Sequence, residues 1–374
     1  MTALYIHIPF CRSKCPYCAF ASWPEGEALH RRYVEAVIAE MRLAARKSSP
    51  SLSTLFIGGG TPTVLAGDLL WRLIAACRAS FSFAVDGEFT CEANPGTVNP
   101  ALLAALRQAG INRLSLGVQS FHDEELRLLG RVHDASAAQA AVLMMKRAGF
   151  DNFSLDLMYG LPGQSLASWR HNLETALACE PRHLSLYQLT IEEDTPFAAR
   201  YRAGQPPMPS EEEILAMDAL NIELCGQAGL AQYEISNFAK PGYECRHNLT
   251  YWNNESYLAA GASAVSCQAG KRQGRLTAPE AYCLAIEAGS EAIAWSEELP
   301  LEAAFRETVV MGLRLKAGVE LARLRQRFGI EALAYYRDVL PKLTAAGLVQ
   351  CEGGHLRLTA AGMSIANQVL AELV

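Results

Sequence analysis

Tyr5-Ile-His-Ile-Pro-Phe-Cys11-Arg-Ser-Lys-Cys15-Pro-Tyr-Cys18 carries the reading of this 374-residue chain. A short apolar run leads straight into three cysteines spaced CxxxCxxC. Three thiolates this close can converge on one cubic iron–sulfur cluster. Ferredoxin-type [4Fe–4S] sites supply four cysteines, one to each iron, so three leave one iron open. An open iron can chelate a small molecule through an amine and a carboxylate.

A structural zinc site is the alternative. Zinc takes four ligands, often from two CxxC knuckles. The nearest later cysteine, Cys77, has no such partner, and His7, the other candidate ligand, lies in a run that reads as a strand. The chain has 11 cysteines, an odd number, mostly scattered as singles in apolar context with no signal peptide ahead of them. This is the usage of a reducing cytoplasm rather than a disulfide framework. Cys77, Cys91, Cys179, Cys225, Cys283 and Cys351 read as small buried hydrophobes.

Along the rest of the first half, short β-branched or apolar runs alternate with helical periods. Strands are expected at residues 4–8, 54–57, 88–93, 113–118, 152–158 and 183–189. Helices are expected at 27–47, 68–79, 100–109, 124–129, 136–148 and 168–178. Alternation of this kind implies a parallel sheet covered by helices. Six such units fit a partial (β/α)6 barrel, although an open doubly wound sheet has the same periodicity. Residues 204–209 read as a loop, 211–225 as a helix, and 232–264 as irregular and rich in Tyr, Asn and Trp. Residues 302–374 read as three helices, a hairpin at 348–359 and a last helix from Ala360, a winged-helix-like order. The expected fold class is therefore α/β. A core of residues 1–225 is followed by a connecting segment, 226–300, and a smaller, mostly helical domain, 301–374.

Composition narrows the function. Half the residues are hydrophobic and the net charge is −6, which does not point to nucleic acid. The winged-helix-like segment holds nine Lys/Arg against seven Asp/Glu with no basic stripe, so packing or protein contact is expected of it rather than DNA binding. No apolar run reaches the ~18 residues a membrane span needs; peripheral membrane contact stays open.

Polar residues follow successive strands. Gly58-Gly-Gly-Thr-Pro62 comes after the second, where glycines let backbone N–H groups approach a ligand. Glu92 ends the third, Gln119 follows the fourth, and Asp156 lies late in the fifth, with Arg131 a candidate partner for its charge. Sites in α/β folds gather at the carboxyl ends of strands, so one crevice can receive them all.

The CxxxCxxC spacing resembles the radical SAM superfamily, in which the open iron binds S-adenosylmethionine (SAM). Tyr5–Cys11, the Gly-Gly-Gly-Thr-Pro segment, Gly117-Val-Gln119 and Asp156-Leu-Met-Tyr-Gly-Leu-Pro162 resemble, more narrowly, the family of oxygen-independent coproporphyrinogen III oxidase and its relatives. Within it, Glu234-Ile-Ser-Asn-Phe-Ala-Lys-Pro-Gly242 and Cys245-Arg-His-Asn-Leu-Thr-Tyr-Trp252 resemble the heme chaperone branch. The resemblance implies a [4Fe–4S] cluster on Cys11, Cys15 and Cys18. It implies SAM contacts at Tyr5, Tyr17, Gly59, Gly60, Thr61, Glu92, Gln119, Arg131, Asp156 and Thr190. It implies heme contacts at His247, Tyr251 and Trp252, with Cys245 a rival ligand, and a heme-accepting respiratory protein as partner. If residues 245–252 are helical, His247 and Tyr251 share a face.

The oxidase carries a fourth cysteine two residues after the third, where this chain has Phe20, and a long segment ahead of its barrel, whereas here the first strand begins within five residues. Both differences speak for the chaperone. Val265, in Gly261-Ala-Ser-Ala-Val-Ser266, is closer to the oxidase, because the chaperone branch often has a histidine in this segment. The oxidase is the second reading, and a non-catalytic metal-binding module the third.

Overall fold

A computed structural model of the chain describes residues 2–24, 26–48, 50–201 and 207–374. The first half alternates as its periodicity requires. The strands are β1 (Thr2–Ile8), β2 (Leu52–Gly59), β3 (Phe83–Ala93), β4 (Arg113–Gln119), β5 (Phe153–Tyr159) and β6 (His183–Gln188). Between them run α1 (Glu27–Lys47), α2 (Gly67–Ser80), α3 (Pro100–Ala109), α4 (Asp123–Leu128), α5 (Ala135–Arg147) and α6 (Leu166–Ala178). Local chemistry sets these boundaries. Asn99 caps α3 ahead of Pro100 at its first position, and Gly110 closes it in the left-handed region. Asp134 and Ser165 cap α5 and α6 in the same way.

The strands β1 to β6 pair in parallel, in chain order. A flat six-stranded sheet would hold its outer strands roughly 24 Å apart. Here Tyr5 of β1, Phe56 of β2, Glu92 of β3, Ser115 of β4, Asp156 of β5 and Tyr187 of β6 all line one cavity. The sheet is therefore curled into a partial barrel around a lumen, and the doubly wound alternative is excluded. Outside it, the helices bury Leu, Ile and Val against the strands in one core that includes Ile6, Leu55, Leu73, Leu103, Leu155 and Leu173.

Beyond β6 come α7 (Pro196–Tyr201) and α8 (Glu211–Gln227), the latter opened by a Ser210/Glu213 capping box. Of the expected loop at 204–209, residues 204–206 lie outside the described residues, and 207–209 are neither helix nor strand. Residues 226–300, expected as a connecting segment, extend the barrel's own sheet. Strands β7 (Ala231–Gln232) and β8 (Asn237–Ala239) add antiparallel to β6. A short helix, α9 (Arg246–Trp252), follows. Then β9 (Tyr257–Ala260) joins β1 in parallel, and β10 (Val265–Gln268), β11 (Lys271–Arg275) and β12 (Ile293–Glu298) continue outward, with α10 (Pro279–Glu287) before the last. The result is a 12-stranded sheet, β12-β11-β10-β9-β1-β2-β3-β4-β5-β6-β8-β7. Gly261, just past β9, has φ +106°, and a Cβ there would lie 2.6 Å from the His7 carbonyl oxygen. Only glycine lets β9 end so close against β1.

The C-terminal module has its own core, including Phe305, Val309, Leu324, Leu343, Leu356 and Val369. It comprises α11 (Leu301–Gly312), β13 (Val319–Glu320), α12 (Leu321–Phe328), α13 (Ala332–Tyr335), α14 (Leu340–Ala345), β14 (Val349–Glu352), β15 (His355–Leu358), α15 (Ala360–Ser364) and α16 (Ala366–Ala371). The expected hairpin is β14–β15, joined by β13 into a three-stranded sheet, and the expected last helix is broken at Ile365. Glu307 of α11 takes a two-pronged bond from Arg272 of β11, 2.6 Å on each oxygen, and Asn254 donates to Thr308 Oγ1 at 2.9 Å.

Candidate functional site

Cys11, Cys15 and Cys18 sit on the loop after β1, at the carboxyl end of the strands, half-buried and free of disulfides. All three line one cavity of about 370 Å³. Hydrogen-bonding groups reach two of the sulfurs. Thr61 Oγ1 is 3.6 Å from Cys11 Sγ, and an Arg131 Nη donates to Cys15 Sγ at 3.6 Å. The other Arg131 Nη donates to Gly117 O at 2.7 Å and to the Asn94 amide oxygen, while Asn94 Nδ2 donates to Thr61 Oγ1 at 2.7 Å. Thr61, Asn94 and Arg131 thus form a polar frame behind the sulfurs.

The glycine run explains how the cysteine loop is held. Gly60 N donates to Ile8 O at 2.8 Å and Thr61 N to Phe10 O at 2.7 Å, while Gly59 N donates to Glu92 Oε2 at 3.0 Å. A Cβ on Gly60 would meet Phe10 O at 2.6 Å. The expectation that these N–H groups face a ligand is therefore corrected. They are bonded to protein, and the segment offers a ligand acceptors rather than donors.

Tyr17, Gly59, Gly60, Thr61, Glu92, Gln119, Arg131 and Asp156 all line the cysteine cavity, as do Asn94, Ser115 and Tyr187, which sequence reasoning did not single out. Gln119 stands at φ +69° beside a register shift in β4, a strained backbone that turns its amide into the cavity. Two expected members fall elsewhere. Tyr5 lines a lower chamber with its hydroxyl 2.9 Å from His7 Nδ1, and Thr190 is exposed past the end of β6. Arg131 is also not the partner of Asp156. That carboxylate accepts from Ser115 at 3.0 Å on both oxygens and from Ser154 at 3.1 Å. Burial raises Asp156, and burial reinforced by the Asp156 charge pushes Glu92 up to about 8. Both carboxyls are thus shifted toward their neutral forms.

The residues fit a thiolate-held cluster: three free sulfurs, a guanidinium and a hydroxyl bonding to them, and an adjoining polar cavity. The zinc alternative loses its proposed fourth ligand. His7 Nδ1 is 2.9 Å from the Tyr5 hydroxyl and its Nε2 3.0 Å from Ala21 O, so both ring nitrogens are engaged. Phe20, 68% exposed, stands at the cavity mouth.

The lower chamber, about 300 Å³, shares Glu92, Ser115, Asp156 and Tyr187 with the upper cavity. Its floor is α9. Glu88, at the middle of β3, accepts from His247 N and Arg246 N, each at 3.1 Å, and seats the helix there. Residues 246–252 are helical, and His247 and Tyr251 do share a face: His247 Nε2 is 2.8 Å from the Tyr251 hydroxyl. His247 Nδ1 is 2.8 Å from Thr54 Oγ1, its ring stacks on Phe56 at 5.0 Å, and it is 1% exposed. Burial, helped by the Arg113 charge, pushes it down to about 3. The imidazole is neutral, with both nitrogens paired. Cys245 is buried beside Glu88. Trp252 leaves the lumen for a third cavity, between α9 and the C-terminal module.

A curled parallel barrel with three loop cysteines above a polar cavity defines a radical SAM protein, and residues 5–176 match the Radical SAM superfamily. Residues 299–365 match the HemN C-terminal domain. The chain is 36% identical to heme chaperone HemW of Bacillus subtilis over 99% of its own length and 98% of that protein. It is 34% identical to HemW of Lactococcus lactis over 99% and 96%, and 41% identical to HemW of Escherichia coli over 75% and 72%. The solved structure of E. coli coproporphyrinogen III oxidase (HemN), a radical SAM enzyme, superposes with a TM-score of 0.87 at 25% identity, covering 100% of this chain and 90% of that one. The chain belongs to the heme chaperone HemW family. No described helix is long and apolar enough to cross a membrane.

Proposed function

We propose that this protein is a cytoplasmic heme chaperone that holds a [4Fe–4S] cluster on Cys11, Cys15 and Cys18, binds SAM in the adjoining cavity, and passes heme to an acceptor hemoprotein. The observation that carries the cofactor assignment is the cavity at the strand ends, where three free sulfurs meet Glu92, Gln119, Arg131 and Asp156. Heme as the cargo rests on membership of the HemW family.

When bound, the cluster supplies an electron and an open iron for the amine and carboxylate of SAM. The chain supplies the rest. Arg131 and Thr61 bond to the sulfurs and offset their negative charge. Acceptors on the Gly59–Gly60 segment and on Glu92 suit an ammonium or ribose hydroxyls. Asp156, fixed by two serines, is a second acceptor deeper in the lumen.

Phe20 at the mouth, in place of a fourth cysteine, favours carriage over porphyrinogen decarboxylation. The deciding experiment uses full-length protein reconstituted anaerobically. Given SAM, a reductant and coproporphyrinogen III, it should form no protoporphyrinogen, while ferric heme should bind with a new Soret band. Turnover of the porphyrinogen would return the oxidase reading.

A further inference from the structure

The family motif around α9 has two sides, and they face different spaces. His247 and Tyr251 point into the lumen, where both imidazole nitrogens are paired and the ring is buried. Trp252 lies on the other side, in a cleft of about 320 Å³ between α9 and the C-terminal module. The cleft offers what the lumen does not. Leu249, Leu315 and Leu324 give apolar wall. Trp252 Nε1 is buried with no bonded partner among the described residues, and Arg314 lies 5.7 Å from the indole ring. His355 of β15 also lines the cleft. Its Nδ1 is 3.1 Å from Gly353 O, so its Nε2 remains for another partner. Two arginines of α12 complete it. Arg323 pairs with Glu255, while Arg327 makes one long bond, 3.4 Å to Asn253 O, and no ion pair among the described residues. Glu244 and Glu320 lie on the lining as well, Glu320 at the start of α12, so Arg327 in the last turn of that helix is the cation left to meet a negative group.

A ligand suited to this cleft has a flat apolar body, a metal that accepts an imidazole lone pair, and carboxylates. We propose that heme binds here, with His355 Nε2 as axial ligand to its iron, Trp252 against the ring, and Arg327 on a propionate. This rests on the chaperone reading and corrects its expected ligand: His247 holds the helix in place, and the iron is bound by the module across the cleft. The cleft is open to solvent on one side, so an edge of the ring stays accessible to an acceptor, as transfer requires. Coordination adds one nitrogen–iron bond, displaces only iron-bound water, and needs no oxidant or reductant.

The test titrates ferric heme and metal-free protoporphyrin IX into the full-length, cluster-loaded protein and its variants. His355→Ala should weaken ferric heme binding tenfold or more and shift the Soret band, and added imidazole should restore the parental band. Metal-free protoporphyrin, which takes no axial ligand, should bind parent and His355→Ala alike, which also shows that the variant is folded. If the alanine variant is unfolded, His355→Gln is used in its place. Arg327→Ala should weaken heme but not heme dimethyl ester. A parent that binds heme and a folded His355 variant with unchanged affinity and Soret band would overturn this site and leave the chaperone reading standing. A cluster-loaded parent that takes up no heme would overturn both.

Discussion

Glu92 carries the clearest pH signal in the molecule. Its carboxyl keeps a proton up to about pH 8 in the fold and loses it near 4.5 when unfolded. Between those values the folded state binds more protons, so stability falls as pH rises through the window and levels off above it. Glu92→Gln removes the titration. With no ligand bound, the variant should exceed the parent by about 2 kcal/mol at pH 8.5, a figure reduced because the cavity is open to water, and the gap should close toward pH 5. Urea melts at the two pH values check it, and a gap of constant size would contradict the assignment. Gly60 makes a second case. An alanine Cβ would meet a backbone oxygen, not a flexible side chain, so the cysteine loop must move. Gly60→Ala should lower iron per chain to roughly half or less after reconstitution, at a stability cost of about 1–3 kcal/mol. At this scale the sequence was most legible where a polar residue ends a strand. Glu92, Gln119 and Asp156 reach one cavity because strand ends converge. Tyr5, six residues before Cys11 on β1, lies lower in the lumen, in the chamber that shares Glu92 and Asp156 with the cysteine cavity, and Thr190 follows the end of β6 at Gln188.

Among the elements, α9 was legible and its surroundings were not. Helical spacing paired His247 with Tyr251, but nothing local says that Thr54 and Glu88, more than 150 residues earlier, receive them. His247→Ala removes two hydrogen bonds and a stacked ring from a closed floor. It should cost about 2–4 kcal/mol in urea unfolding while leaving iron content at the parental value. Parental stability would show that the floor does not depend on this ring. The strands β7 to β12 escaped notice for a different reason. They are two to six residues long, and β11 reads Lys-Arg-Gln-Gly-Arg, with little alternation to detect. Such strands are held by neighbours already in place, through backbone bonds that side-chain patterns do not record.

For the whole molecule, the sheet and the C-terminal module are two cores joined at a polar seam. The Arg272–Glu307 pair, about a quarter exposed on each side, is its strongest charged contact. Arg272→Ala should cost about 1–2 kcal/mol and should selectively speed amide hydrogen exchange in residues 301–374, with the barrel strands unchanged. Uniform acceleration across both parts would mean that they unfold as one. The strand β3 bears Glu88, which grips α9 at the floor, and Glu92, which takes the Gly59 amide beneath the cysteine loop, four residues or about 13 Å further on. Opposite ends of the barrel are thus tethered to one stiff rod. A guest that draws Glu92 away from Gly59 pulls on the same rod that seats the helix, which gives the cysteine loop a mechanical route to the floor with no atom in common.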